Sequence, residues 1–461
     1  MGDARRPAMS AAIPPASVFG VGISLSREAA ASDEGGASSA AAPIPLLRLS
    51  EVVAERELGS GGFCTVWAVR RIEVDLPPIE RDQGHEETPP QVARRRLSRR
   101  FANYEKKHFS YRHVPGRPPL PTEPFDQKPP KVALKMVRTS LAKERYETGS
   151  RDLAAEVSVL AQCAHPNIIP LYAIGQNNEG DGNAGRITFA VIGQLRSTLK
   201  NKVYKWREDR GLGVFITRRA LNQLWIERLV CLKSVADALK YLHGKGIVHR
   251  DVSLDNIGFD ADDIVKLFDF GLARCLGESS DAPSYTSSAA SIASIATIST
   301  GTEMSSSTVR EDDLFDLTSN TGTLRYMAPE VALGCPYGVK CDVHSLAIVM
   351  HEVLSLVKPY VNVRPFAFTS VVVKGGLRPT LDPSWPEGVR HLLQGMWSTD
   401  CARRPSSEEV VESIEGLLRG NDADLFPKAR GLKGFFSDEE PPNRIDGLVS
   451  ASPAPYTRPR S

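Results

Sequence analysis

Between residues 249 and 271 the chain sets two acids and an amide around one short strand. His249-Arg250-Asp251-Val252-Ser253-Leu254-Asp255-Asn256 comes first, then the strand-like Ile264-Val265-Lys266-Leu267-Phe268, then Asp269-Phe270-Gly271. These residue types suit phosphoryl transfer, in which one acid accepts a hydroxyl proton while two oxygen donors hold Mg²⁺ against phosphates. A His-Arg-Asp tripeptide alone arises readily by chance. Its weight comes from the other motifs and from their order.

Upstream, Leu58-Gly59-Ser60-Gly61-Gly62-Phe63-Cys64-Thr65-Val66 reads as strand, glycine turn, strand. Glycines let backbone N–H groups close over phosphate oxygens without Cβ clashes. Val132-Ala133-Leu134-Lys135 is again strand-like, and the spacing of Leu153, Val157 and Leu160 predicts a helix over about 151–161 that carries Glu156. Residues 187–192 form an apolar strand. A long amphipathic helix is expected from about Gln223 to Gly244, with Leu229, Leu232, Val235, Ala236, Leu239 and Leu242 inward. Downstream come Gly322-Thr323-Leu324-Arg325-Tyr326-Met327-Ala328-Pro329-Glu330, then Asp342-Val343-His344-Ser345, and finally Trp397, Asp400 and Arg404-Pro405.

In this order the motifs resemble those of eukaryotic protein kinases, of the serine/threonine type and nearest the tyrosine-kinase-like (TKL) group, over about residues 50–420. The resemblance implies an α+β, two-lobed fold: a small antiparallel β-sheet lobe with one key helix, helix C, and a larger, mainly helical lobe. It implies ATP and Mg²⁺ in the cleft and transfer of the γ-phosphoryl group to Ser or Thr hydroxyls of protein substrates. By it Asp251 is the catalytic base, Asn256 and Asp269 ligate Mg²⁺, and Lys135 reaches the α/β-phosphates, held there by Glu156. Leu58, Gly59, Ser60, Gly61, Gly62, Phe63, Cys64, Val66 and Ala133 would surround the nucleotide, with Val66 over the adenine. Ile192 would guard the back pocket, and Leu160, Leu171, His249 and Phe270 would stack as an inner apolar column. Thr323 would bond Asp251, Asp342 the catalytic-loop backbone, and Glu330 would pair with Arg404. Arg250 would belong to a basic pocket that reads phosphate on the activation loop.

Two departures stand out. Cys64 replaces the third glycine of the family loop, which puts a thiol near the phosphates. Ser253 stands where serine/threonine kinases carry a lysine that touches the γ-phosphate, and Asp255 stands where tyrosine kinases supply an arginine instead. Loss of a cation there removes transition-state stabilisation. A low-activity pseudokinase scaffold is therefore one alternative and a tyrosine kinase another. The Thr323-Leu324-Arg325 segment, without the proline of tyrosine kinases, favours Ser/Thr.

Residues 1–45 are Ala-, Ser-, Gly- and Pro-rich and are expected to be a disordered tail, as is 421–461. Residues 73–130 read as a surface insertion whose basic stretch 94–107, opening Arg94-Arg95-Arg96-Leu97-Ser98-Arg99-Arg100, could dock an acidic partner or act as a nuclear address. Residues 277–320 read as a Ser/Thr-rich, disordered activation-loop insertion. With 57 Lys and Arg against 55 Asp and Glu, the net charge of +2 gives no pull toward nucleic acid or membrane, and neither partner is expected. Seven scattered cysteines without a C-x-x-C pair suit a reducing compartment, so the cytoplasm is expected, with the nucleus as the second location. The first residues carry neither a myristoylation signal nor a secretory core.

Overall fold

The computed structural model describes residues 44–73, 94, 131–176, 187–211, 218–276, 310–420 and 426. Most of the two expected tails, the basic stretch beyond Arg94, and residues 277–309 lie outside them.

Six strands form the smaller lobe's sheet: β1 (Leu46–Arg48), β2 (Val52–Ser60), β3 (Cys64–Ile72), β4 (Val132–Val137), β5 (Leu171–Gln176) and β6 (Phe189–Gly193), in the order β1-β5-β6-β4-β3-β2. Side chains alternate between the two faces of a strand. Val132 and Leu134 of β4 join Phe189 and Val191 of β6 in one apolar cluster. Ala133 and Val137 join Ala190 and Ile192 in the main core on the other face. Lys135 shares the parity of Ala133 and Val137, so it points toward the helix that covers that face. The helix is α1 (Lys143–Ala161), the expected helix C. Leu153, Glu156, Val157 and Leu160 follow i, i+3, i+4, i+7 spacing and are all buried, so the acid is carried inward with the apolar stripe.

The sheet is antiparallel as expected except at one edge, where β1 runs parallel to β5, pairing Leu46 with Ile174 through Arg48 with Gln176. This strand precedes the expected domain start at residue 50, and its parallel pairing with the distant β5 leaves no local mark in the sequence. Helix α1 begins eight residues before the expected 151, because its first two turns, Lys143–Ser150, carry mostly polar side chains and little apolar period.

The larger lobe contains α2 (Leu199–Gly211), α3 (Arg218–His243), α4 (Pro329–Leu333), α5 (Lys340–Ser355), α6 (Glu387–Met396) and α7 (Ser407–Arg419). Every residue of α5 from Cys341 to Leu354 is buried, which makes it the lobe's central post. A capping box opens α7: Glu409 N–H donates to Ser406 Oγ at 3.1 Å, and Ser406 N–H donates to Glu409 Oε2 at 2.7 Å. Helix α2 has no counterpart in the sequence reading. Among its described side chains the buried apolar ones are Leu199, Val203 and Trp206, a narrow stripe in a charged segment. Short strands finish the lobe near the cleft: β7 (Ser197–Thr198), β9 (Ile257–Phe259) and β10 (Val265–Leu267) make one sheet, and β8 (Ile247–Val248) pairs with β11 (Arg274–Cys275). No helix among the described residues is long and apolar enough to cross a membrane.

Residues 310–320 differ from expectation. Their polar composition groups them with the expected disordered insertion, yet they lie against the larger lobe, with Phe315 and Tyr337 exchanging backbone hydrogen bonds of 3.1 and 3.0 Å.

Candidate active site

The strand β9–β10 hairpin separates the two polar clusters. Asn256 precedes β9 and Asp269 follows β10, and Phe268 N–H donates to Asn256 O at 3.0 Å, drawing the two ends together. Behind them Asp342, at the start of α5 and wholly buried, accepts from the backbone N–H groups of His249 and Arg250, both at 2.8 Å, and lies 3.1 Å from His243 Nε2. Burial pushes the Asp342 carboxyl up, but the His243 contact and the backbone donors outweigh it, so the group stays below its ordinary value and ionised. Arg250 and Asp269 both adopt left-handed backbone, with φ of 69° and 63°. For a residue with a Cβ this costs about 1–2 kcal/mol. The Asp342 clamp holds the first, and the 4.8 Å edge-on stacking of His249 on Phe270 braces the second.

Asp251 is fastened from two sides. Its Oδ1 accepts from Thr323 N–H and Thr323 Oγ1, both at 2.7 Å, and its Oδ2 accepts from Asn256 Nδ2 at 2.7 Å. A carboxylate has about four acceptor positions, so one is left for an incoming hydroxyl. Asn256 Nδ2 also donates to Asp251 O at 2.9 Å. Its amide nitrogen is thus committed, and its oxygen is the atom that could meet a cation.

Across the cleft Lys135 Nζ lies 2.6 Å from Glu156 Oε2 and 3.2 Å from Asp269 Oδ1. Burial alone would lower the ammonium's pKa, but the two acids raise it well above the ordinary lysine value, so Lys135 is a fixed cation. For Asp269, burial pushes the carboxyl up, while the Lys135 charge and hydrogen bond hold it below the ordinary value. The Asp269 side chain remains 48% exposed, open to a ligand.

The glycine loop joins β2 to β3. Gly59 pairs with Val66 and Ser60 with Thr65, and Gly61 N–H donates to Cys64 O at 2.8 Å, which closes the turn. Val66 also pairs with Lys135, and Ala133 with Ile192, while Leu58 packs on the main core. Gly62 lies at the exposed tip. Phe63 folds back onto α1 beside Gly149, where a Cβ would come within 2.8 Å of Phe63 Cβ. Burial pushes the Cys64 thiol up to about 11, only partly offset by Lys135. Cys64 is therefore a protonated, poorly nucleophilic thiol at neutral pH.

Ser253 is fully buried, and its hydroxyl has no hydrogen-bond partner among the described residues. The nearby Asp255 is paired instead with Lys200, at 2.9 Å, on the exposed rim. The basic stretch contributes one described residue, Arg94, whose Nη1 donates to Leu46 O at 2.8 Å and whose Nη2 pairs with Glu51. One arginine of that stretch thus already has an acidic partner within the chain.

Two contacts were missed from sequence. Arg138 Nη2 donates to Gly61 O at 2.7 Å and Gly62 O at 2.5 Å, bracing the loop tip. Tyr337 Oη accepts from Arg250 Nη1 at 3.1 Å, and Arg250 Nε donates to Leu272 O at 2.6 Å. Both pairings join residues far apart in the chain, and neither carries a spacing signal.

Comparison with known proteins matches the family described as "Protein kinase domain" to residues 126–414. The match begins near the end of the expected insertion, so β2, β3 and the glycine loop precede it. The chain is similar to the serine/threonine-protein kinase STY46 of Arabidopsis thaliana, 30% identical over 40% of this chain and 26% of that protein. It is also similar to the serine/threonine/tyrosine-protein kinase HT1 of Arabidopsis thaliana, 25% identical over 62% of this chain and 60% of that protein. With human ephrin type-A receptor 8 it shares 27% identity over 67% of this chain and 24% of the receptor. The chain thus spans about a quarter of STY46 and 60% of HT1. On the family match, which covers well over half its length, the chain belongs to the protein kinase family.

Proposed function

We propose that this protein transfers the γ-phosphoryl group of ATP to serine or threonine hydroxyls of protein substrates, in the cytoplasm or nucleus. The observation that carries the reading is the fastening of Asp251: Thr323 of the substrate platform holds one oxygen and Asn256 of the catalytic loop the other. A hydroxyl seated on that platform would meet a carboxylate with one acceptor position to spare, oriented to take its proton. Lys135, kept cationic, would bind the nucleotide's phosphates, and Glu156 keeps it from turning away. Asn256 and Asp269 fit Mg²⁺ by donor chemistry, since both present hard oxygens and Asp269 is held ionised. When bound, the ion supplies neutralisation of phosphate charge. The name of STY46 supports the serine/threonine class, while that of HT1 includes tyrosine as well.

The buried, uncharged Ser253 favours a second reading, a nucleotide-binding scaffold of low activity. The separating experiment incubates the purified chain with γ-labelled ATP, Mg²⁺ and a generic protein substrate, followed by phosphoamino-acid analysis. Label in phosphoserine and phosphothreonine supports the proposal. Label confined to phosphotyrosine contradicts the class, and absence of label favours the scaffold.

A further inference from the structure

The family's usual reading of Arg250 is as a receptor for phosphate on the activation loop. Its environment here is different. Arg250 is 6% exposed, with Nε given to Leu272 O and Nη1 to the hydroxyl of Tyr337. That hydroxyl donates onward to Thr318 O at 2.8 Å. Tyr337, itself fully buried, therefore links the catalytic loop to the returning limb of the activation segment through a neutral relay of one donor and one acceptor. The limb is tied along its length. Glu311 Oε1 accepts from Ser407 Oγ at 3.2 Å, and Asp312 pairs with Lys340 at 2.5 Å. Phe315 and Tyr337 exchange backbone bonds, Asn320 N–H donates to Val331 O at 3.1 Å, and Thr323 ends the run on Asp251. Gly338 admits the limb at close range, since a Cβ there would meet Asp313 O at 2.2 Å.

We infer that Tyr337 is a positioning residue that holds the substrate platform in place without phosphate, its hydroxyl joining Arg250 to the Thr318 carbonyl. The inference rests on the kinase reading above. Thr323 sits five residues beyond Thr318, so slack at the Thr318 anchor reaches the groups that orient Asp251. No phosphate is needed to close this chain of contacts. A loop phosphate, were it the true anchor, would find a second guanidinium in Arg274, which burial and then the charge of Arg250 hold below its ordinary value.

The test uses the full chain, treated with phosphatase and shown by mass spectrometry to carry no phosphate. Wild type is expected to keep its peptide-kinase rate within about twofold, and the Asn320 and Thr323 amides to exchange slowly. Tyr337→Phe keeps the ring and removes the relay. A hydrogen bond to a charged group is worth about a tenfold factor or more, so kcat should fall about tenfold with KM for ATP unchanged, and those amides should exchange faster. Gly338→Ala, which crowds Asp313 from the other side, should do the same. Unchanged exchange and kcat in both variants would overturn the inference, as would deprotection of these amides in wild type on removing phosphate. If no protein transfers phosphate, the proposed function fails, and the amide exchange alone still decides the role of Tyr337.

Discussion

Two ion pairs of equal length do opposite things in this molecule. Lys135 meets Glu156 at 2.6 Å, and Arg404 meets Glu330 at 2.6 Å. Arg404 is sealed: its side chain and that of Glu330 are 0% and 3% exposed, and its other contacts go to Glu330 Oε2, Ser398 O and Lys340 O. Lys135 is 16% exposed, gives its hydrogen bonds among the described residues to two acids, and one of those acids is half open to solvent. An ammonium has three donors, so one remains for a ligand. Distance alone does not separate the two pairs. What separates them is whether water, and so a ligand, can reach the pair. A dry pair closes a lobe, while one open at a cleft can receive an anion.

That contrast predicts different failures. Glu330→Ala leaves a buried guanidinium without its anion and should cost about 3–5 kcal/mol of stability, read by denaturant unfolding. Lys135→Met should lower kcat about 10²-fold, the scale of losing one transition-state donor. Its loss of stability should be smaller than that of Glu330→Ala, because burial already pushes the Glu156 carboxyl up and the acid can take a proton in place of its partner. A Lys135→Met protein as destabilised as Glu330→Ala would erase the distinction. The smallest effect belongs to Ser253→Lys, which restores a cation beside the reaction. It should raise kcat by less than about tenfold, because Lys135 already supplies positive charge. A gain of several hundredfold would mean that the natural chain is nearly inert.

The chemistry was more legible in the sequence than the scaffold that aims it. Asp251, Asn256 and Asp269 announce themselves because their spacing is short and their types are rare together. Lys135 and Glu156 could be paired through the family resemblance, with the helix period putting Glu156 on an inward face. The parallel pairing of strand β1 could not be read, since its partner β5 lies far along the chain and leaves no local signal. Helix α2 could have been found from Leu199, Val203 and Trp206, but its charged surface hid so narrow a stripe. The ordering of residues 310–320 was invisible for a different reason. Composition marks the segment as polar, while what fixes it is a set of partners, Tyr337, Lys340 and Ser407, that only the fold brings near.

The most direct measurement is a single-turnover assay of γ-phosphoryl transfer to a serine peptide, comparing wild type with Asp251→Asn at saturating ATP and Mg²⁺. Loss of the base should slow transfer by about 10²–10⁴-fold while nucleotide affinity is kept. Equal rates in the two proteins would show that the carboxylate held between Thr323 and Asn256 is not where the hydroxyl gives up its proton.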